Sequence, residues 1–224
     1  LIRLENISKT FRQHGHTTHI AHNMNATFPT GVSVGLLGRN GAGKSTLLRM
    51  IAGIIRPDTG QITSTGTISW PVGFAGSFHG ELTGAQNARF IARIYGVNTD
   101  ELINFVEDFA ELGPQFHHPI RTYSSGMRSR LAFGVSMGIS FDTYLVDEVT
   151  SVGDKDFKAK ATSVFTDRMK NSSAIVVSHS TPMIRKLCDC GAVLEHGRFT
   201  FYNDIEEAIE RHAWNIKHGQ RTIT

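Results

Sequence analysis

Residues 38–45 read Gly-Arg-Asn-Gly-Ala-Gly-Lys-Ser, a match to the G-x-x-x-x-G-K-[ST] pattern of a phosphate-binding loop, which carries meaning only between a strand and a helix. Both flanks fit. The apolar run 32–37 before it reads as a buried strand, and after it Leu47, Leu48, Ile51 and Ala52 recur at helical spacing until Gly53. In such a loop Gly38, Arg39, Asn40, Gly41, Ala42 and Gly43 turn their backbone N–H groups inward onto phosphate oxygens, and the following helix points its positive end at the same charge. Lys44 is then expected to bridge the β- and γ-phosphates, Ser45 to ligate Mg²⁺ and Thr46 to reach the α-phosphate. The pattern predicts a nucleoside triphosphate site.

Working outward, Thr143-Tyr144-Leu145-Val146 reads as a buried strand that ends on two carboxylates, Asp147 and Glu148. Paired with the loop, Asp147 is expected to hold the Mg²⁺ through water, and Glu148 to polarise a water for in-line attack on the γ-phosphate. Further strands are expected over 1–7, 18–28, 173–179 and 191–197, and helices over 154–170 and 181–188. From about 83 to 141 the pattern turns helical, with Ile103, Val106, Phe109 and Leu112 on one face and Pro114 and Pro119 interrupting it. The expected fold is α/β, a P-loop NTPase with a wound, mainly parallel core. The expected division is a core of 1–82 and 142–203 that includes an N-terminal antiparallel β part, a helical subdomain over about 83–141, and a C-terminal helix over 204–224.

The chain has 224 residues, 40% of them hydrophobic and 19% charged, values of an ordinary globular protein rather than a disordered or collagenous one. Lys and Arg exceed Asp and Glu by 3, spread along the chain rather than gathered as a nucleic-acid binder gathers them. No apolar window is long enough to span a bilayer and no signal peptide is read at the start, so the chain is expected to stay where it is made, although it opens on Leu1 rather than methionine. Cys188 and Cys190, one residue apart, read as plain thiols of a reducing compartment. The run His14-Gly-His16-Thr-Thr-His19-Ile-Ala-His22 lacks the partners of a zinc site and reads as a solvated hairpin tip.

Tyr123-Ser124-Ser125-Gly126-Met127-Arg128 resembles the LSGGQ signature of ABC ATPases in degenerate form, with Ser124 and Gly126 retained. As a local structure it also reads as a serine cap on a helix beginning near Met127. Other residues match that family in order. Phe11, after the first strand, resembles the aromatic that stacks on adenine. Asp154 lies in a stretch like the D-loop, and His179 resembles the switch histidine that contacts the γ-phosphate. The loop over 73–80 holds no glutamine where the family carries its Q-loop residue, so either His79 or Phe74 takes that position.

Stretches 76–84, 123–131 and 146–154 together resemble the ATP-binding subunits of capsular polysaccharide exporters, the KpsT-like subfamily; O-antigen and teichoic-acid exporters are near relatives. The resemblance implies an ATPase with ATP and Mg²⁺ as its cofactors. It implies a homodimer in which Ser124, Ser125 and Gly126 of one copy face Lys44 and Ser45 of the other, with Glu148, His179 and Lys44 catalytic. It further implies a membrane permease that handles the polysaccharide and is reached through residues 73–90 and the helical insert, a peripheral place on the cytoplasmic face of the inner membrane, and no nucleic acid. Residues 204–218 leave no room for the carbohydrate-binding domain of some O-antigen members, which points to the capsule branch. An importer would be favoured by a Q-loop glutamine. A small GTPase lacks its Asn-Lys-x-Asp element here, and a DNA-acting ABC ATPase would place a long coiled coil between Lys44 and Ser124, which are only 124 − 44 = 80 positions apart.

Overall fold

Strand β1 (Ile2–Gln13) pairs antiparallel with β2 (His16–Phe28), with Ile2, Leu4, Met24, Ala26 and Phe28 turned inward and Arg3, Asn25 and Thr27 outward. This computed structural model describes residues 1–13, 16–74, 76, 78–147 and 155–218. The hairpin is longer than expected. Bulges between Leu4 and Thr10 let pairing continue to Phe11↔Thr18 and Gln13↔His16, so Phe11 lies within β1 rather than after it. His16, His19 and His22 accordingly belong to the strand β2 and not to a turn, while His14 lies outside the described residues.

The chain continues through β3 (Val34–Leu37), α1 (Lys44–Ile51), β4 (Thr59–Ser64) and β5 (Ile68–Pro71). It then forms α2 (Gly84–Tyr95), α3 (Thr99–Ala110), 3-10 turns at Gly113–His117 and Ile120–Thr122, and α4 (Ser125–Gly138). β6 (Thr143–Asp147), α5 (Lys155–Arg168), β7 (Ser173–Val177), α6 (Thr181–Leu187), β8 (Cys190–Glu195), β9 (Arg198–Tyr202) and α7 (Ile205–His218) follow. Two compact units result.

The first unit holds residues 1–71, 142–147 and 171–218 of those described. Its larger sheet runs β5-β6-β7-β3-β8-β9, parallel throughout except for the antiparallel β8–β9 edge, and β2-β1-β4 form a separate antiparallel sheet. The α/β class and the mainly parallel core are therefore as expected. Helix α1 buries Leu47, Leu48, Met50 and Ile51 in a core shared with Leu4, Phe28, Leu36 and Leu145; each such side chain contributes roughly 1.5–3 kcal/mol. At the other end of the sheet, the Asp142 carboxylate accepts both the N–H and the hydroxyl of Thr67 at 2.7 Å, tying β5 to the start of β6. Cys188 and Cys190 are buried, and burial pushes their thiols up to about 12 and about 11.

The second unit joins 72–141 with 155–170. Thr83 and Gln86 form a reciprocal capping box at the start of α2. Helix α3 buries Ile103, Val106 and Phe109 but stops at Ala110, because Glu111 turns left-handed at φ 51°; Leu112 therefore falls outside the helix. The expected division is drawn on helical content, whereas packing places α5 with this unit. Phe157 meets Phe109 edge-on at 5.1 Å, and the Lys160 ammonium reaches Glu111 at 2.5 Å. No helix among the described residues is long and apolar enough to cross a membrane.

Candidate active site

The loop over 38–43 leaves the end of β3, the strand bonded on both sides by parallel neighbours β7 and β8. Two of its glycines are demanded by close approach. A Cβ on Gly38 would stand 2.3 Å from the carbonyl oxygen of Leu194, and one on Gly43 would stand 2.5 Å from Cγ2 of Ile20. Gly43 also sits at φ 99° as the N-cap of α1, a conformation that costs an L-residue roughly 1–2 kcal/mol. It supplies no side-chain cap, and the first turn of α1 has no acidic residue. The first N–H groups of the helix are thus left for an anion.

A cavity of about 290 Å³ opens above this loop. Asn40, Gly41, Gly43, Lys44, Ser45 and Thr46 line one side; Asp147, Val177 and His179 line another, and Ile20 of β2 closes the edge. Asp147 is the last residue of β6 and lies opposite Val177, the last of β7, in the parallel register. His179 follows two positions later. The Lys44 ammonium donates to the carbonyls of Gly38 at 2.7 Å and Arg39 at 2.9 Å, while the N–H of Ala42 donates to the carbonyl of Arg39 at 3.1 Å. A lysine and a glycine-built floor at the uncapped start of a helix suit a polyphosphate. The Ser45 hydroxyl and Asp147 carboxylate on the same cavity are hard oxygen donors of the kind Mg²⁺ takes.

The structure thus brings Lys44, Ser45, Thr46, Asp147 and His179 around one space. Phe11 is not in the lining; it stands 42% exposed on β1 with the Lys9 ammonium 5.4 Å from its ring centroid. Glu148 and Asp154 lie outside the described residues. Sequence reasoning did not find Ile20 or Val177: Val177 is one of several apolar residues of β7, and Ile20 sits among the polar residues of β2.

Beside this cavity, His212 of α7 is half-buried. Burial first, then the Lys44 cation and His179, hold its imidazole below the usual histidine range, against the pull of Glu195. Asn215, one turn further along α7, donates to the Glu195 carboxylate.

In the second unit, Ser124 caps α4 by accepting the N–H of Met127 at 3.2 Å. The helix starts at Ser125, two residues before the expected Met127, because the cap reaches to its third residue. Ser124 keeps its own hydroxyl proton for an acceptor. Among the described residues a Cβ on Gly126 would meet only the Ser124 hydroxyl, at 3.9 Å, so nothing among them demands glycine there. His79 is exposed in the loop before α2, its ring Nδ1 accepting the N–H of Glu81 at 3.3 Å. Its backbone is gripped by Asn87, which accepts the His79 N–H at 2.9 Å and donates to the carbonyls of His79, Leu82 and Thr83. Phe74 is half-buried in the same loop.

The ABC transporter family model matches residues 21–151, more than half the chain and all of the loop, the capping serine and the β6 carboxylate. The chain belongs to the ABC transporter family. As an ABC ATPase it binds and hydrolyses ATP. It is 49% identical to the polysialic acid transport ATP-binding protein KpsT of Escherichia coli over 215 residues, 95% of this chain and 96% of that one. It is 43% identical to the capsule polysaccharide export ATP-binding protein CtrD of Neisseria meningitidis serogroup B, covering 94% of this chain and 97% of that one. These likenesses make it a KpsT-like ABC ATPase. A dimeric ATP-binding cassette solved in a post-hydrolysis state with ADP and Pi shares the fold at a TM-score of 0.75, with 18% identity over 92% of this chain and 99% of that one.

Proposed function

We propose that this ABC ATPase powers export of a cell-surface, capsular polysaccharide. The observation that carries the reading is the end-to-end likeness to KpsT, at 49% identity with 95% and 96% of the two chains covered. On this reading two copies work together on the cytoplasmic face of the inner membrane, held there by a separate permease that handles the polymer. The helical residues 83–141 and the loop before them carry the permease contact.

Within the site, Lys44 leaves the Gly38 and Arg39 carbonyls and moves its ammonium onto the β- and γ-phosphates, while the loop amides over 38–43 and Thr46 hold the rest of the triphosphate. Phe11 stacks on adenine. Ser45, directly, and Asp147, through water, would hold Mg²⁺, which supplies positive charge against the phosphate oxygens. Glu148, next after Asp147, orients a water and accepts its proton as the water oxygen attacks the γ-phosphorus and the bond to the bridging oxygen breaks, the electron pair leaving with ADP; His179 donates to the γ-phosphate as charge moves. Ser124, Ser125 and Gly126 of a second copy complete the donors around the γ-phosphate, a role supported by the unused Ser124 proton and the open space at Gly126. Asp154 lies at the boundary between the copies, and His79 occupies the Q-loop position.

Deletion of the gene in its own host tests the assignment. Surface polysaccharide should be lost and retained inside the cell, and restored by the wild-type chain but not by Glu148→Gln, which should bind ATP and accumulate as a closed dimer on size exclusion. Normal surface glycan with failed uptake of a solute would replace this reading with an importer.

A further inference from the structure

Helix α2 packs Asn87, Ala88, Ile91 and Ala92 inward, as its 3.6-residue period requires. Its opposite face is not the polar surface that this period leads one to expect. Phe90 is 55% exposed and Ile94 61% exposed, one turn apart and therefore side by side. Arg89 and Arg93, also one turn apart and exposed, flank them. The helix has no acidic residue, and neither arginine pairs with a carboxylate among the described residues. Solvated cations and bare apolar side chains thus share one exposed face.

We propose that this face of α2 rests on an anionic lipid surface, with Arg89 and Arg93 meeting headgroup phosphates and Phe90 and Ile94 entering the layer beneath. The sign of the charge selects the partner: two unpaired guanidiniums fit phosphate oxygens, to which they can donate in pairs. Extent selects lipid over protein. The six residues 89–94 cover about 9 Å of helix, a small patch against the roughly 800 Å² per partner of a stable protein interface. A headgroup layer needs no matching pocket, and a weak amphipathic contact of this kind acts as a second signal beside a stronger anchor. The inference goes beyond the proposed function: α2 lies in the stretch proposed to reach the permease, and the inference adds that its exposed Arg89, Phe90, Arg93 and Ile94 face touches lipid.

Flotation of the purified full chain with phosphatidylcholine vesicles, with and without phosphatidylglycerol, tests it without nucleotide or permease. Its failure would therefore leave the export reading standing. The chain should float with the anionic vesicles at low salt and not with phosphatidylcholine alone, and added salt should release it. Arg89→Gln and Arg93→Gln should each lower the partition about five-fold; Phe90→Ser and Ile94→Ser should also lower it, without shifting the melting temperature. Absence of flotation with anionic vesicles, or flotation that ignores the arginine substitutions, would overturn the proposal. Failed flotation together with loss of co-purification with the permease in the arginine variants would give the face to a protein partner instead.

Discussion

The ammonium of Lys44 donates to the carbonyl oxygen of Gly38 at 2.7 Å, with the carbonyl of Arg39 next at 2.9 Å. The cation of the loop is therefore stored on the loop's own backbone. On nucleotide binding these two neutral carbonyls give way to charged phosphate oxygens, and hydrogen bonds to charged partners contribute about 1.5–3 kcal/mol each. Lys44→Ala should weaken ATP binding by at least about 100-fold, measured by titration calorimetry. An unchanged affinity would remove Lys44 from the site.

Gly43 faces a steric and a backbone obstacle at once, with φ 99° and Ile20 Cγ2 2.5 Å from its would-be Cβ. Gly43→Ala should destabilise the chain by about 2–5 kcal/mol, the sum of a left-handed alanine and an overpacked contact. Adding Ile20→Ala should return part of that loss in urea unfolding, since it opens space but cannot relieve the dihedral. Strict additivity of the two substitutions would show that Ile20 is not the obstacle.

Asn87 is 1% exposed and its amide serves four backbone groups around His79. Asn87→Ala should cost about 2–4 kcal/mol, leaving buried donors and acceptors without partners. Asn87→Asp keeps the acceptor for the His79 N–H but sets a carboxylate against three carbonyl oxygens. Its loss should be larger at neutral pH and shrink as the pH is lowered far enough to protonate the new carboxyl. Denaturant midpoints across pH separate the two variants.

His212 carries a pH dependence whose sign follows from its surroundings. Burial, Lys44 and His179 hold its imidazole below the usual 6.5 despite Glu195. In the window below 6.5 and above the lowered native value, the unfolded chain binds the proton and the native chain does not, so stability falls as pH falls through that window. Above the window the group has no effect. Calorimetric melting from neutral to mildly acid pH should show this fall, and His212→Gln should flatten it. A triphosphate beside Lys44 reverses the local charge, so ATP binding should take up protons in the wild-type chain and fewer in the variant, read by calorimetry in buffers of different ionisation enthalpy.

Much of the architecture was legible from the chain. The apolar runs of β3, β6, β7 and β8 announce buried parallel strands, and the loop before α1 names its own chemistry through residues adjacent in sequence. Strand β4 was not legible, because in Thr-Gly-Gln-Ile-Thr-Ser every position but Ile62 is exposed and its pairing with β1 alone makes it a strand. Strand β9 was overlooked although Phe199 and Phe201 alternate as a half-buried strand should. The hairpin outran its expected ends because bulged pairing, not side-chain pattern, carries it through the histidines. Glu148 and Asp154 lie outside the described residues, so their placement rests on sequence.

What the amino-acid order determined by itself was local: a glycine-built loop, a lysine and serine at the head of a helix, and a serine one residue ahead of another. These need only near neighbours in the chain to take shape. The tertiary structure decided which distant groups share the loop's cavity. Asp147, Val177 and Gly38 end or follow strands that lie side by side in the order β6-β7-β3. Parallel pairing brings those strand ends to one edge of the sheet, and Ile20 arrives from a different sheet altogether. Hydrogen-bond register between remote segments is set by how they pack, and no short window of sequence contains it.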